Sequence, residues 1–432
     1  MPWFEKQADS ISRPDVEAMC QRLLDESKQH LNIKDFRRVL LLPPDLTRAH
    51  SGAGWITETL YKLLPRSCDI QCIPTLGQHV PHTEAENKWM FGSIPHERIH
   101  AHDWLGGCKR YGVVPADFVK EKTQGRADWD MPIDLSTILM EQKWDLIINV
   151  GHVVPHEVLG FANHNKNYFI GLAGKDLICT SHMASASYGI ENNLGNLVTP
   201  VRACFNYAED KYLSHLPDVY LQVVMQRNPD NKLVHSGVFV GDDLDTYLNA
   251  ARLSRSQNIT QFDKPLKKVV AVMQADEFRA TWVANKAVYR TRMAIDDGGE
   301  LLVIAPGVER FGEQPDVDRL IRKYGYRDTP TILRQYKANA DMQDIAHGTA
   351  HLMHGSSENR FHITYAPGKL SRADIEGVGY GYMDLADALK RYPPHHMKEG
   401  WNTMPDGEEI FFISTPSAGL WSTKKKLQGR AG

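Results

Sequence analysis

Val39-Leu40-Leu41-Leu42-Pro43-Pro44-Asp45-Leu46-Thr47-Arg48 joins four consecutive apolar residues to a turn carrying an acid, a hydroxyl and a base. An unbroken apolar run this short, closed by prolines, reads as a strand buried on both faces, as parallel strands are. The pattern recurs at residues 70–73, 146–150, 269–273 and 301–305. Amphipathic stretches at 55–64 and 277–295 lie between these runs and read as helices. Strand and helix in alternation predict an α/β chain.

A length of 432 residues exceeds what one core usually supports, so two domains are expected. The polar stretch 255–268 precedes a new strand and places the boundary there, giving domains 1–262 and 263–432. Thr83-Glu84-Ala85-Glu86 predicts a capping box at a helix start. Asp297-Gly298-Gly299 reads as the close of a helix beginning near Ala275, and Lys424-Lys425-Lys426 as a solvated tail.

The formal charge of −3 supplies no basic field for a polyanion, which argues against nucleic acid as a partner. Six scattered cysteines form no disulfide framework and fit a reducing compartment. The first residues lack an apolar signal segment, and no apolar run of about 18 residues occurs anywhere. The expectation is a cytoplasmic protein that neither enters a membrane nor binds nucleic acid, and that acts on a small molecule.

Three polar segments each follow a predicted strand: Pro43 to Arg48, Pro74 to His82, and Gly151 to His156. In open parallel sheets ligands bind outside the carboxyl ends of the strands, so these segments are expected to converge, bringing together Asp45, Arg48, His79, His82, His152 and His156. Histidine suits proton transfer near neutrality, and position favours His79 and His156 for it. His82, His152 and His164 read first as packing or capping groups. Arg48 offers a planar fork for a carboxylate, with Asp45 beside it. Lys166 sits in the Gly160-Phe161-Ala162-Asn163-His164-Asn165-Lys166 stretch, where crowding can depress a lysine's pKa and make it a nucleophile or covalent tether, although most lysines are solvated surface charges and composition alone favours that reading. His79-x-x-His82 and His152-x-x-x-His156 have spacings a zinc site uses, with His182 or Asp45 as a further ligand, although Pro155 disfavours a helix through the second pair.

Taken in order, Pro44 to Arg48, Gly77-Gln78-His79, Pro155-His156, Gly160 to Lys166 and Ser181-His182 resemble the lactate racemase family. Lys286-Ala287-Val288-Tyr289-Arg290, Ala346 to Ala350 and Met404-Pro405-Asp406-Gly407 extend the resemblance over nearly the whole chain. The resemblance implies two α/β domains with largely parallel sheets and a cofactor and active site in the cleft between them. It further implies a nickel-pincer nucleotide, pyridinium-3-thioamide-5-thiocarboxylic acid mononucleotide, attached covalently through Lys166. On that basis His156, ten residues before the lysine, pairs with His79 in acid/base work, and His182, sixteen after it, is the nickel ligand. Asp45 and Thr47 would support the cofactor, and Arg48 with Lys286 would face the substrate carboxylate.

The implied reaction is inversion at C2 of a 2-hydroxy acid by hydride transfer, in a racemase or epimerase that depends on cofactor-assembly proteins. A homo-oligomer is compatible with this. The sequence departs from the family pattern at Asn163-His164-Asn165, where glycines often precede the basic residue and lysine, and at Val283, where a glutamine can stand. The family's substrate-side tryptophan has no clear match. These differences point away from lactate toward an aldonate, a malate-like acid or another 2-hydroxy acid. Two alternatives stand beside this: a zinc-dependent hydrolase built on His79, His82, His152 and His156, and a non-catalytic carboxylate-binding relative.

Overall fold

Residues Arg38–Leu42 form a strand in which Val39, Leu40, Leu41 and Leu42 are wholly buried. The structure is a computed structural model, and it describes residues 1–228, 230 and 232–428. The strand is sandwiched between Asp69–Cys72 on one side and Leu146–His152 on the other, parallel to both, with Val39 opposite Ile70 and Leu146. Strand Asp218–Arg227 continues the parallel series beyond Leu146–His152. Antiparallel strands Leu233–Gly241 and Phe4–Ile11 complete a six-stranded sheet.

Helices cover this sheet because their apolar faces match it. In Arg13–His30, Val16, Cys20, Leu23 and Ser27 recur at helical spacing and are buried, and Ser12 caps the start by accepting from Asp15 N–H. Ile56 and Leu60 of Ala53–Leu63 join them in one core with Val39, Leu41, Ile148, Val150 and Leu221. The predicted capping box is present: Thr83 and Glu86 exchange side chain-to-backbone hydrogen bonds at the head of helix Glu84–Phe91.

A second six-stranded sheet runs in the order Gly381–Tyr382, His362–Pro367, Ile295–Ala305, Leu266–Val272, Glu409–Ile413, Gly400–Thr403, and only the last strand is antiparallel. Val270, Leu302, Ile304, Ala366 and Phe412 pack against Ala388 and Tyr392 of the covering segment.

The chain divides into two compact units, one of residues 1–181 and 197–257, the other of 182–196 and the chain from 258 onward. The sequence placed the boundary at 262/263 and gave no sign that 182–196 belongs with the later unit. A charge cluster accounts for it. Glu191 takes ion pairs from Arg292, Arg360 and Lys426 at 3.1, 2.6 and 3.0 Å. Burial opposes the ionised Glu191, but these three cations outweigh it and hold the carboxyl at about 2.

Three expectations are corrected. Asp297-Gly298-Gly299 does not close a helix; it lies inside strand Ile295–Ala305, with Gly298 in the left-handed region and its N–H bonded to Arg360 O. The helix expected over 277–295 is two short helices, Thr281–Ala284 and Lys286–Thr291, broken at Asn285. Nor is Lys424-Lys425-Lys426 a free tail: it forms a short helix, and Lys426 is drawn to Glu191. All six cysteines are free thiols. No helix among the described residues is long and apolar enough to cross a membrane.

Candidate active site

The order of the first sheet puts a switch point between Arg38–Leu42 and Leu146–His152, since the chain moves outward from Arg38–Leu42 in opposite directions on its two sides. Crevices of this kind open beyond the carboxyl ends of the strands. From those ends come the turn Pro43 to Arg48 and the segment from Gly151 to Lys166.

Asp45 is buried at the head of the 3₁₀ turn Leu46–Ser51. Its carboxylate accepts from the Thr47 hydroxyl at 2.6 Å and from His79 Nδ1. Burial works against the charged form, but the His79 ring, Thr47 and Arg48 prevail and hold Asp45 well below the usual carboxylate range. Because Nδ1–H faces the acid, the neutral His79 ring keeps its lone pair on Nε2. The ring is 40% exposed, so Nε2 has access to a ligand.

His82, three residues on, is a structural group. Its Nε2 accepts from Leu46 N–H at 3.2 Å while Nδ1 meets Asn87 Oδ1, which pins the Asp45 turn to helix Glu84–Phe91. Burial pushes its pKa down. His152, at the end of its strand, is buried edge-on to His50.

His156 stands on a two-residue hairpin, paired with Gly160 across the turn. Its Nδ1 accepts from Val158 N–H at 3.2 Å, which places the proton of the neutral ring on Nε2. The two histidines thus carry opposite tautomers: His79 presents an acceptor at Nε2 and His156 a donor at Nε2.

Lys166 opens the helix Lys166–Phe169 and is half-buried. Burial lowers its pKa first and the Arg48 guanidinium second; Asp45 and Glu157 pull the other way, and the amine is left at about 8. These interactions also report which charges surround Lys166: Arg48, Asp45, Glu157 and Arg202.

The segment that presents Lys166 is strained and braced. Asn163 and His164 both adopt left-handed conformations, with φ of 70° and 58°. A Cβ on Gly151 would stand 2.5 Å from Asn163 Oδ1, so only glycine at the end of the strand lets the loop close. Gly77 N–H bonds to Gly171 O at 2.9 Å, tying the His79 loop to the same segment. From below, the fully buried Arg202 donates to Phe161 O at 2.8 Å, Asn163 O at 3.2 Å, Asn165 Oδ1 and the Tyr247 hydroxyl at 3.2 Å. His164 is sealed between the Tyr220 and Tyr247 rings, and burial followed by Arg202 pushes its pKa well down.

The first unit therefore gathers Asp45, Thr47, Arg48, His79 and Lys166, with His156 beside Glu157. His182, half-buried on helix Lys175–Tyr188, and Lys286, whose Nζ lies 5.6 Å from the Phe278 ring centroid, belong to the second unit. Among the described residues no group of three or more His, Cys, Asp and Glu side chains is arranged to hold a metal ion, so the four histidines of the zinc alternative do not form a ligand set. Two contributors were missed in the sequence, Glu157 and Arg202. Glu157 adjoins His156 and had a positional signal; Arg202 sits in the first turn of helix Pro200–Ala208 and had none.

A family model described as the lactate racemase N-terminal domain matches residues 6–192. No curated protein matches the sequence. A crystal structure of a structural-genomics protein from Thermotoga maritima superposes with a TM-score of 0.81 at 21% identity, covering 97% of this chain and 100% of that one. The lactate racemase apoprotein from Thermoanaerobacterium thermosaccharolyticum gives a TM-score of 0.67 at 16% identity, covering 97% and 94%. At these identities the structures speak for the fold. The chain shares the fold of the lactate racemase apoprotein, and residues 6–192 match the model of the lactate racemase N-terminal domain.

Proposed function

We propose that the protein is a racemase or epimerase that inverts C2 of a 2-hydroxy acid, working with a nickel-pincer nucleotide carried on Lys166. The observation that carries this reading is a lysine whose pKa is pushed down to about 8 beside a buried Asp45–His79 pair, within a region that matches a lactate racemase domain.

The residues fit the cofactor on chemical grounds. An amine with a pKa near 8 is about one-tenth unprotonated at pH 7, far more than an ordinary lysine, and covalent attachment through nitrogen uses that free amine. His182 would be the protein's ligand to nickel; a pincer group brings most of its own donors, so no protein cluster of three ligands is needed. When bound, the group supplies a pyridinium ring that takes up and returns a hydride.

The protein's part is orientation and proton handling. Arg48 would hold the substrate carboxylate. His79 Nε2 takes the hydroxyl proton, and Asp45 stabilises the imidazolium that results. His156 Nε2–H then bonds to the carbonyl oxygen of the planar 2-keto acid. One proton acceptor and one donor, set by opposite tautomers, match what inversion asks of its two faces.

The side chains of Asn163, His164 and Asn165 are buried against Asn167, the Tyr220–Tyr247 pair and Arg202, so they shape the tether segment rather than the polarity around the substrate. The substrate is proposed as a 2-hydroxy acid, with an aldonate and a malate-like acid to be compared with lactate. Chiral chromatography of a panel of 2-hydroxy acids, incubated with protein loaded by a cofactor-assembly pathway, tests the reading. The expected outcome is loss of optical purity in at least one acid, abolished in His79→Gln; no inversion across the panel by cofactor-loaded protein would refute it.

A further inference from the structure

A cavity of about 1010 Å³ lies wholly within the second unit, at the starts of strands Ile295–Ala305 and His362–Pro367, lined by Gly298, His362, Ser357, Arg327, Tyr380 and Gly381 among others. Its two acids and two arginines are unequally paired. Asp297 is paired with Arg360 at 2.9 Å and Glu300 with Lys268 at 2.9 Å. Among the described residues no carboxylate pairs with Arg327. Asp328 beside it spends its carboxylate on Thr331 N–H and the Asn359 amide.

Arg327 is nevertheless held in place. Its Nη1 donates to Tyr326 O and Val378 O, both at 3.0 Å. The guanidinium rests on two left-handed glycines: a Cβ on Gly379 would come within 2.0 Å of Nη1, and one on Gly325 within 2.9 Å. With Nη1 used, the Nε–Nη2 edge makes no hydrogen bond among the described residues. That edge is the side-on fork that grips an oxyanion, as Arg110 does to Asp134 elsewhere in this protein, Nε to Oδ1 at 2.8 Å and Nη2 to Oδ2 at 3.0 Å. Fixing a guanidinium with backbone carbonyls lowers the entropy lost when it binds.

We infer that this cavity is a binding site for a small molecule bearing a carboxylate or phosphate, gripped by the Nε–Nη2 edge of Arg327. The volume admits a molecule the size of a nucleotide or sugar phosphate, and the Ser357 hydroxyl and Asn359 amide offer neutral partners for the rest of it.

Isothermal titration of the full-length protein with inorganic phosphate and, separately, malonate tests this, with chloride kept low. Saturable binding of at least one probe is expected, and the tighter probe identifies the headgroup. Arg327→Gln should weaken it about tenfold or more, the loss of two charge-assisted hydrogen bonds. Arg48→Gln should leave this isotherm in place, which separates it from anion binding in the first unit. Ser357→Asp, which adds a negative charge to the cavity without disturbing the arginine's glycine seat, should weaken binding likewise and guards against misfolding of the arginine variant. Absence of saturable binding by both probes, or unchanged binding in Ser357→Asp or in folded Arg327→Gln, overturns the inference.

Discussion

His79 donates its Nδ1–H to the buried carboxylate of Asp45, so a partly exposed ring has its tautomer set by an acid that solvent does not reach. Replacing Asp45 by Asn removes the negative charge while keeping the shape. On the proposed reading, kcat for inversion falls by about 10²-fold or more, with a smaller change in KM, because the imidazolium forms only as the reaction proceeds. Steady-state kinetics of the cofactor-loaded variant checks this.

Lys166 titrates near 8 where an ordinary lysine titrates near 10.4. Its labelling by an amine-directed reagent should therefore rise to half-maximum near pH 8, read peptide by peptide by mass spectrometry, while exposed lysines respond at higher pH. Arg48→Gln removes a nearby positive charge and should move the Lys166 midpoint upward.

The same shift carries a stability cost. Between the folded value near 8 and the unfolded value near 10.4, the unfolded lysine holds a proton that the folded one has lost, so stability rises with pH across that window. Below it the charged amine is held in a half-buried site beside Arg48 and Arg202. Lys166→Met should thus stabilise the cofactor-free protein at pH 7 by about 1–2 kcal/mol. Urea midpoints at pH 7 and above pH 9 should show that gain shrinking as pH rises.

Arg202 braces the tether segment from beneath through Phe161, Asn163 and Asn165. Arg202→Met leaves these buried acceptors unpaired and should cost about 3–5 kcal/mol. Limited proteolysis should then cut first within residues 160–171. If the global midpoint falls with no preferential cleavage there, Arg202 supports the whole unit rather than the loop.

The strands were legible because their signal is local: the runs at 39–42, 146–150 and 301–305 lie wholly in strands, and those at 70–73 and 269–273 overrun theirs by one residue. Asp69–Cys72, at the sheet edge, is buried on alternate residues only and not on both faces as expected. Asp297-Gly298-Gly299 misled because a glycine pair marks a helix end and a strand irregularity alike, and only the bond from Gly298 N–H to Arg360 O decides between them. The break at Asn285 is likewise tertiary, since its Oδ1 accepts from the Tyr365 hydroxyl at 2.6 Å and the Tyr380 hydroxyl at 3.3 Å.

At the site, Asp45 and His79 were readable from their place after strands, and the structure joins them directly. His82 shared that signal and turned out to pin a turn. Arg202 was unreadable because its partners lie about 40 residues earlier, at Phe161, Asn163 and Asn165, and nothing in its own helix marks it as buried.

Peptide mass spectrometry with nickel quantitation, on protein co-produced with a pincer-nucleotide assembly pathway, tests the central claim most directly. The account predicts a covalent adduct on the peptide containing Lys166, with nickel in stoichiometric amount and neither in Lys166→Met. An unmodified Lys166, under conditions that load a lactate racemase in parallel, would contradict it.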